Sequence, residues 1–215
     1  MHHTALLASQ PLYGYDLYRW IVRYALDAAW DAKKHPRDTA GRFATRSDVA
    51  TLADSAKTSG NANKTMTVAI VDPRTAREAK EKIGLDIEGY VHTVDMFAVR
   101  HALNQHGDAA KEAKRGQIAI GRTDIAAIPD VITTPDAVVY GGKNQRRQDL
   151  IASIKRMGDG TLLVVEEVRT GRRTLALASL RKVPAAKDFD SIARTLLSNA
   201  QSDSGNGLIV VNRNR

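Results

Sequence analysis

The feature that most constrains this chain is residues 149–180, three apolar runs parted by two short turn signals. Asp149–Met157, Thr161–Val168 and Arg173–Leu180 are each of strand length, and Gly158-Asp159-Gly160 and Thr170-Gly171 separate them. Runs of this length joined by Gly-containing turns specify an antiparallel meander. The central run, Leu162-Leu-Val-Val-Glu-Glu-Val168, is apolar on both faces at its start, as a strand enclosed within a sheet must be. Two-residue hairpins at both turns would pair Lys155 with Val164 and Leu177, Ser153 with Glu166 and Leu175, and Met157 with Leu162 and Ser179. Ser153, Lys155, Glu166 and Ser179 then share one sheet face.

Upstream, Thr67–Val71 reads as a short strand, and Asp72-Pro73 opens a helix that runs to Ile83 and stops at Gly84. Leu85–Tyr90 is extended or irregular. His92 precedes a helix over Asp95–Gln105, in which Met96, Val99 and Leu103 occupy one narrow core-facing sector. Gly107 is expected in the left-handed conformation at its end. On the same wheel His101 lies opposite the core sector, and His106 sits about 140° from His101. Arg115-Gly-Gln117 is a turn, Ile118–Ile120 a short strand, and Thr123–Ala127 a helical turn capped by Thr123. Ile128-Pro129 and Thr134-Pro135 mark a loop, and Ala137–Tyr140 is a strand. Gly141-Gly142 with Lys143, Arg146 and Arg147 reads as a flexible basic loop.

Three segments follow from this reading: an N-terminal helix and polar linker over 1–64, an α+β domain over 65–184, and a C-terminal helix and flexible tail over 185–215. The first contains a helix over Asp16–Lys34, carrying Trp20 and Tyr24 at helical spacing and ended by Pro36. Thr45–Lys64 is polar and rich in small residues, a linker or loosely helical tether. The last contains a short helix over Phe189–Leu197 and a final apolar run, Leu208–Val211.

Charge and composition narrow the function. A net charge of +8 and a pI near 9.8 favour a polyanionic partner, nucleic acid first, because neutralising phosphates releases counterions. The chain contains no cysteine, so disulfides, thiolate zinc sites and thiol catalysis are excluded. No apolar run is long enough to span a bilayer, and residues 1–15 lack the basic start and apolar stretch of a secretory signal, so no membrane partner is expected. Neither a phosphate-binding Gly-rich loop, nor HExxH, nor Gly-x-Ser-x-Gly is present. No metal site and no cofactor are expected.

Tyr90-Val-His-Thr-Val94, Arg100-His101, Gln105-His106-Gly107, Arg115-Gly-Gln117, Thr123-Asp-Ile125 and Ile128-Pro129, followed by the meander, resemble in order and spacing the phage branch of the barnase–EndoU–colicin–RelE-like nuclease superfamily. Its members occur at the ends of phage head-morphogenesis and ejected proteins and in polymorphic toxins. The resemblance implies an α+β fold, with helices packed on a four- or five-stranded antiparallel sheet and a metal-independent ribonuclease site on the sheet face. It assigns catalytic positions to His101, His106, Lys155 and Ser179.

Cleavage of RNA through attack of the 2′-OH needs a base, an acid for the leaving 5′-oxygen, and cations around the phosphorane. On this expectation His101 is the base, and His106, at a helix C-terminus where the dipole favours a cation, is the acid. Lys155 stabilises the phosphorane and Ser179 donates to the phosphate. Arg115, Lys143, Arg146 and Arg147 are the expected nucleic-acid contacts. The competing expectation is a catalytically inactive virion or head-associated docking protein. Its Trp20/Tyr24 helix would meet a phage head or portal protein while the basic loop touches nucleic acid. The two readings place the protein in the host cytoplasm or in the virion.

Overall fold

The computed structural model describes residues 42–58, 63–185 and 191–192. The Trp20/Tyr24 helix and residues 198–215 lie outside the described residues, as does all but Ser191 and Ile192 of the expected Phe189–Leu197 helix.

Several of the expected elements form nearly as read. A helix spans Pro73–Ile83 (α2), with the Asp72 carboxylate accepting from Thr75 N and Gly84 left-handed at φ 68°. The meander is built from β4 (Asp149–Met157), β5 (Gly160–Arg169) and β6 (Thr174–Val183). Strand β3 (Ala137–Lys143) adds antiparallel to β4 and absorbs Gly141, Gly142 and Lys143, in place of the expected flexible loop.

The sheet is larger than expected and not wholly antiparallel. Strands β1 (Thr65–Ile70) and β2 (Val91–Asp95) extend it to six in the order β1-β2-β6-β5-β4-β3, with β2 parallel to β6. Strand β2 hides from a polarity-based reading because it carries His92 and Thr93 yet is buried on both faces.

The expected linker is also a core element. Arg46–Thr58 forms helix α1, opened by a reciprocal cap in which Thr45 N donates to Asp48 Oδ2 at 2.8 Å and Asp48 N to Thr45 Oγ1 at 3.3 Å. Val49, Leu52, Ala53 and Ala56 form its buried stripe. The stripe uses mostly small residues, so its apolar face is faint in the sequence. Met96–His106 forms α3, capped by the Asp95 carboxylate on Ala98 N, and Ala109–Lys114 forms α4. Arg122–Ala126 forms α5 and Ile128–Thr133 forms α6. Helix α5 begins at Gly121 rather than under a Thr123 cap, with Asp124 Oδ2 accepting from Gly121 N. Helix α6 replaces an expected loop because Pro129, in the first helical turn, starts a helix rather than breaking it.

The main core lies on one face of the sheet. Val94, Leu162, Val164, Leu177 and Leu180 form one cluster with buried residues of α1, α3, α5 and α6, while Val138, Tyr140, Ile151, Val168 and Leu175 form another with buried residues of α2. Full burial of side chains such as Leu52, Ile125, Leu162 and Leu180 contributes roughly 1.5–3 kcal/mol each. On the opposite face Ala137, Val139, Ile154, Leu163 and Val183 pack with Ile192.

The register corrects the expected face assignment. Lys155 pairs with Leu162 rather than Val164, a shift of two that leaves Ser153, Lys155 and Glu166 on the helical face. A bulge at Val165/Glu166 then moves the far part of β6 by one residue, so Ser179 pairs with Val165 and faces the other side.

Candidate active site

Helix α3 delivers His106 on its last turn. Gly107 continues with φ −89°, not left-handed as expected, and its need for glycine is steric. A Cβ there would stand 2.4 Å from Leu103 O, while Gly107 N donates to that same oxygen at 2.9 Å. The tight turn leads into Asp108, whose Oδ1 accepts from Ala110 N and Lys111 N and so sets the direction of α4.

That direction returns Glu112 to His106. The imidazole Nδ1 and Glu112 Oε2 are 3.1 Å apart, and Arg115 Nη1 donates to Glu112 Oε1 at 2.7 Å. The Glu112 side chain is wholly buried, the His106 ring is 11% exposed, and Arg115 is half-exposed. The return segment is pinned by Gln117 N to Glu112 O and Ile120 N to His106 O, and Ile118 bridges to Lys182 on β6. The site therefore sits along the margin of β6, beyond the residues that β2 pairs.

Arg181, next to that bridge, completes the cluster. Burial pushes its guanidinium below the ordinary arginine value, with Glu112 pulling back and Arg115 adding to the push. Its Nε is fully shielded and has no acceptor among the described residues, and Gln117 Oε1 is likewise buried without a donor. A partly buried guanidinium lacking an acceptor is an incomplete arrangement that an anion would satisfy.

The geometry has direct chemical consequences. A carboxylate can only accept, so Nδ1 of His106 carries the proton in the His106–Glu112 bond and Nε2 is the nitrogen left for chemistry. Two guanidiniums face one carboxylate, so the cluster carries an excess positive charge around the imidazole.

The other expected site residues lie elsewhere. His101 is exposed on the outer side of α3, near the exposed Phe97. Lys155 Nζ is held by Thr134 O and, at 2.9 Å, by Thr134 Oγ1 at the end of α6. Its strand is separated from β6 by β5, a distance of roughly 10 Å, and its side chain points to the helical face. Ser179 shares a face with Arg181, two residues along β6. The structure thus brings His106 and Arg115 together, puts Ser179 on the face of Arg181, and leaves His101 and Lys155 apart from them.

Lys143 is paired with Asp149 at 2.7 Å, and Arg146 and Arg147 stand on the β3–β4 turn. His92, the third histidine of the region, is a core residue whose Nδ1 lies 2.9 Å from both oxygens of the fully buried Glu166. Among the described residues no group of three or more His, Cys, Asp or Glu side chains is arranged to hold a metal ion.

Glu112 and Arg181 do not stand out from the sequence alone. Their signals are present but faint: Glu112 stands three residues before Arg115, within one helical turn, and Arg181 stands two residues after Ser179, on the same strand face.

No curated protein and no solved structure matches the chain. A family model does match, over residues 69–190, which takes in α2 through β6 and with them every residue of the cluster. On that match, covering more than half of its length, the chain belongs to the phage-Barnase-EndoU-ColicinE5/D-RelE like nuclease3 family.

Proposed function

We propose that this nuclease-type domain cleaves RNA by 2′-OH transesterification without a metal ion, with His106 taking the base role expected of His101, in place of the acid role, and with Arg115 and Arg181 on the phosphate. The observation that carries the reading is the buried Glu112 carboxylate joining His106 and Arg115 beside Arg181, whose Nε has no hydrogen-bond acceptor among the described residues. Glu112 orients the ring and Nε2 takes the 2′-hydroxyl proton. The 2′-oxygen bonds to phosphorus, the bond to the 5′-oxygen breaks, and that oxygen takes a proton from water. Charge accumulates on the non-bridging oxygens in the transition state, where the guanidiniums are worth most. Ser179 is assigned as a hydroxyl donor on the Arg181 face. His101 and Lys155 have no part in this mechanism.

The test is end-group analysis of RNA incubated with the full chain in excess chelator. Fragments ending in 2′,3′-cyclic phosphate support the reading, and their loss in Arg181→Ala supports the role of that cation. RNA bound in a salt-dependent way and recovered intact would refute it.

A further inference from the structure

The turns joining β3 to β4 and β5 to β6 lie at one end of the sheet and enclose an open cleft of about 390 Å³, with Arg146, Gln148, Glu167, Arg169 and Arg172 among its lining residues. The cleft is cationic and its one acid is already committed. Glu167 Oε1 accepts from Arg169 Nε at 2.7 Å and Oε2 from Asn144 Nδ2 at 3.1 Å. Arg146 and Arg172 have no acidic partner among the described residues, so two guanidiniums face the cleft unneutralised.

The frame that presents them is set by the backbone. Asn144 Oδ1 accepts from Arg146 N and Gln148 N, and Arg147 N donates to Asn144 O. Arg147 is thereby held at φ 61°, and Arg173, whose N donates to Thr170 O on the other turn, sits at φ 52°. Left-handed backbone at a non-glycine residue costs roughly 1–3 kcal/mol and persists only where the surroundings fix it. Both turns therefore present their arginines from a fixed base.

We propose that this cleft is a second phosphate-binding site, gripping the backbone of a single-stranded RNA away from the scissile phosphate. The choice of RNA rests on the ribonuclease reading above. Strand β6 runs from Thr174 at the cleft end to Arg181 at the catalytic cluster, seven residues or about 23 Å at the usual strand rise. A dinucleotide is too short to occupy both sites, whereas a longer strand spans them. The cleft thus sets affinity for long substrates and the His106 cluster sets the chemical step.

The test measures binding of a long single-stranded RNA across a salt series, using the full chain in a His106→Ala background so that cleavage plays no part. Each phosphate contact on a single strand contributes about 0.7 to the slope of log affinity against log salt, so Arg146→Ala with Arg172→Ala should lower the slope by about 1.4. Replacing both by Lys, which keeps the charge, should restore it. With His106 intact, the double alanine variant should lose several-fold more kcat/KM on long RNA than on a dinucleotide. An unchanged salt slope, or equal losses on both substrates, overturns the proposal. If the protein cleaves nothing and yet the slope falls as expected, the ribonuclease reading fails and the second site stands.

Discussion

Replacing Glu112 by Gln keeps the shape of the cluster and removes its only negative charge. The carboxylate is wholly buried and accepts from His106 and Arg115, so both of its oxygens are in use. Glutamine can accept through its oxygen from Arg115, but its amide nitrogen then turns a donor toward His106 Nδ1, which keeps the tautomer set by Glu112 only by leaving a donor unpaired. One buried donor left unpaired costs about 1–3 kcal/mol. Loss of the charge-assisted bond to Arg115 adds about 1 kcal/mol, at the low end because that side chain is half-exposed and screened. Arg181 loses its nearby counter-charge as well. The expected loss of stability is about 3 kcal/mol, read as a shift in urea midpoint by far-UV circular dichroism at constant m. A cycle with Arg115→Met should show coupling of roughly 1 kcal/mol between the two positions. A loss below about 0.5 kcal/mol would refute the argument, since only a solvent-screened carboxylate behaves so.

Leu52→Ala should cost about 2–5 kcal/mol in the same assay, because Leu52 is 1% exposed in the main core, whereas a residue in a tether would cost almost nothing. Gly107→Ala should destabilise by about 2 kcal/mol despite an ordinary φ, since relieving the contact with Leu103 O strains the two backbone bonds that hold the turn. Equal stability of that variant would remove the steric account. The pH dependence of melting follows from the pair Lys182–Asp159. A hydrogen bond from Lys182 holds Asp159 below its ordinary value of 3.8, so its contribution is present above that value and lost as pH falls further. Lys182 sits above its ordinary 10.5: burial would lower it, but its bonds to Asp159 and Asp124 outweigh that. Its contribution is therefore present below 10.5 and lost as pH rises through the folded value, an alkaline limb that Lys182→Met should abolish in thermal melts.

The local elements were legible wherever backbone chemistry is encoded in one or two residues. Asp72-Pro73 and Gly84 bounded α2, and Gly158-Asp159-Gly160 marked the β4–β5 turn, though not its register. The misses share a different cause, in that they depend on partners distant in the chain. Strand β2 exists because β1 and β6 flank it, and α1 is a core helix because Leu52 and its neighbours pack against α3, α5 and α6, helices well downstream in the chain. Ser179 changed faces through a single bulged residue, which alternation cannot reveal. At the site, the resemblance supplied His106, and Arg115 was expected as a nucleic-acid contact. Glu112 and Arg181 needed the turn at Gly107 and the bridge from Ile118 to Lys182 before they could be placed beside them.

The most direct measurement is the rate of RNA cleavage by the full chain in excess chelator, beside His106→Ala and His101→Ala. Removal of a positioned acid–base group typically costs about 10²–10⁴-fold. A loss of that size in His106→Ala, with His101→Ala within a few-fold of the unaltered chain, is the predicted result. Equal losses in both variants, or undiminished cleavage by His106→Ala, would contradict the assignment of the chemistry to the His106–Glu112 cluster.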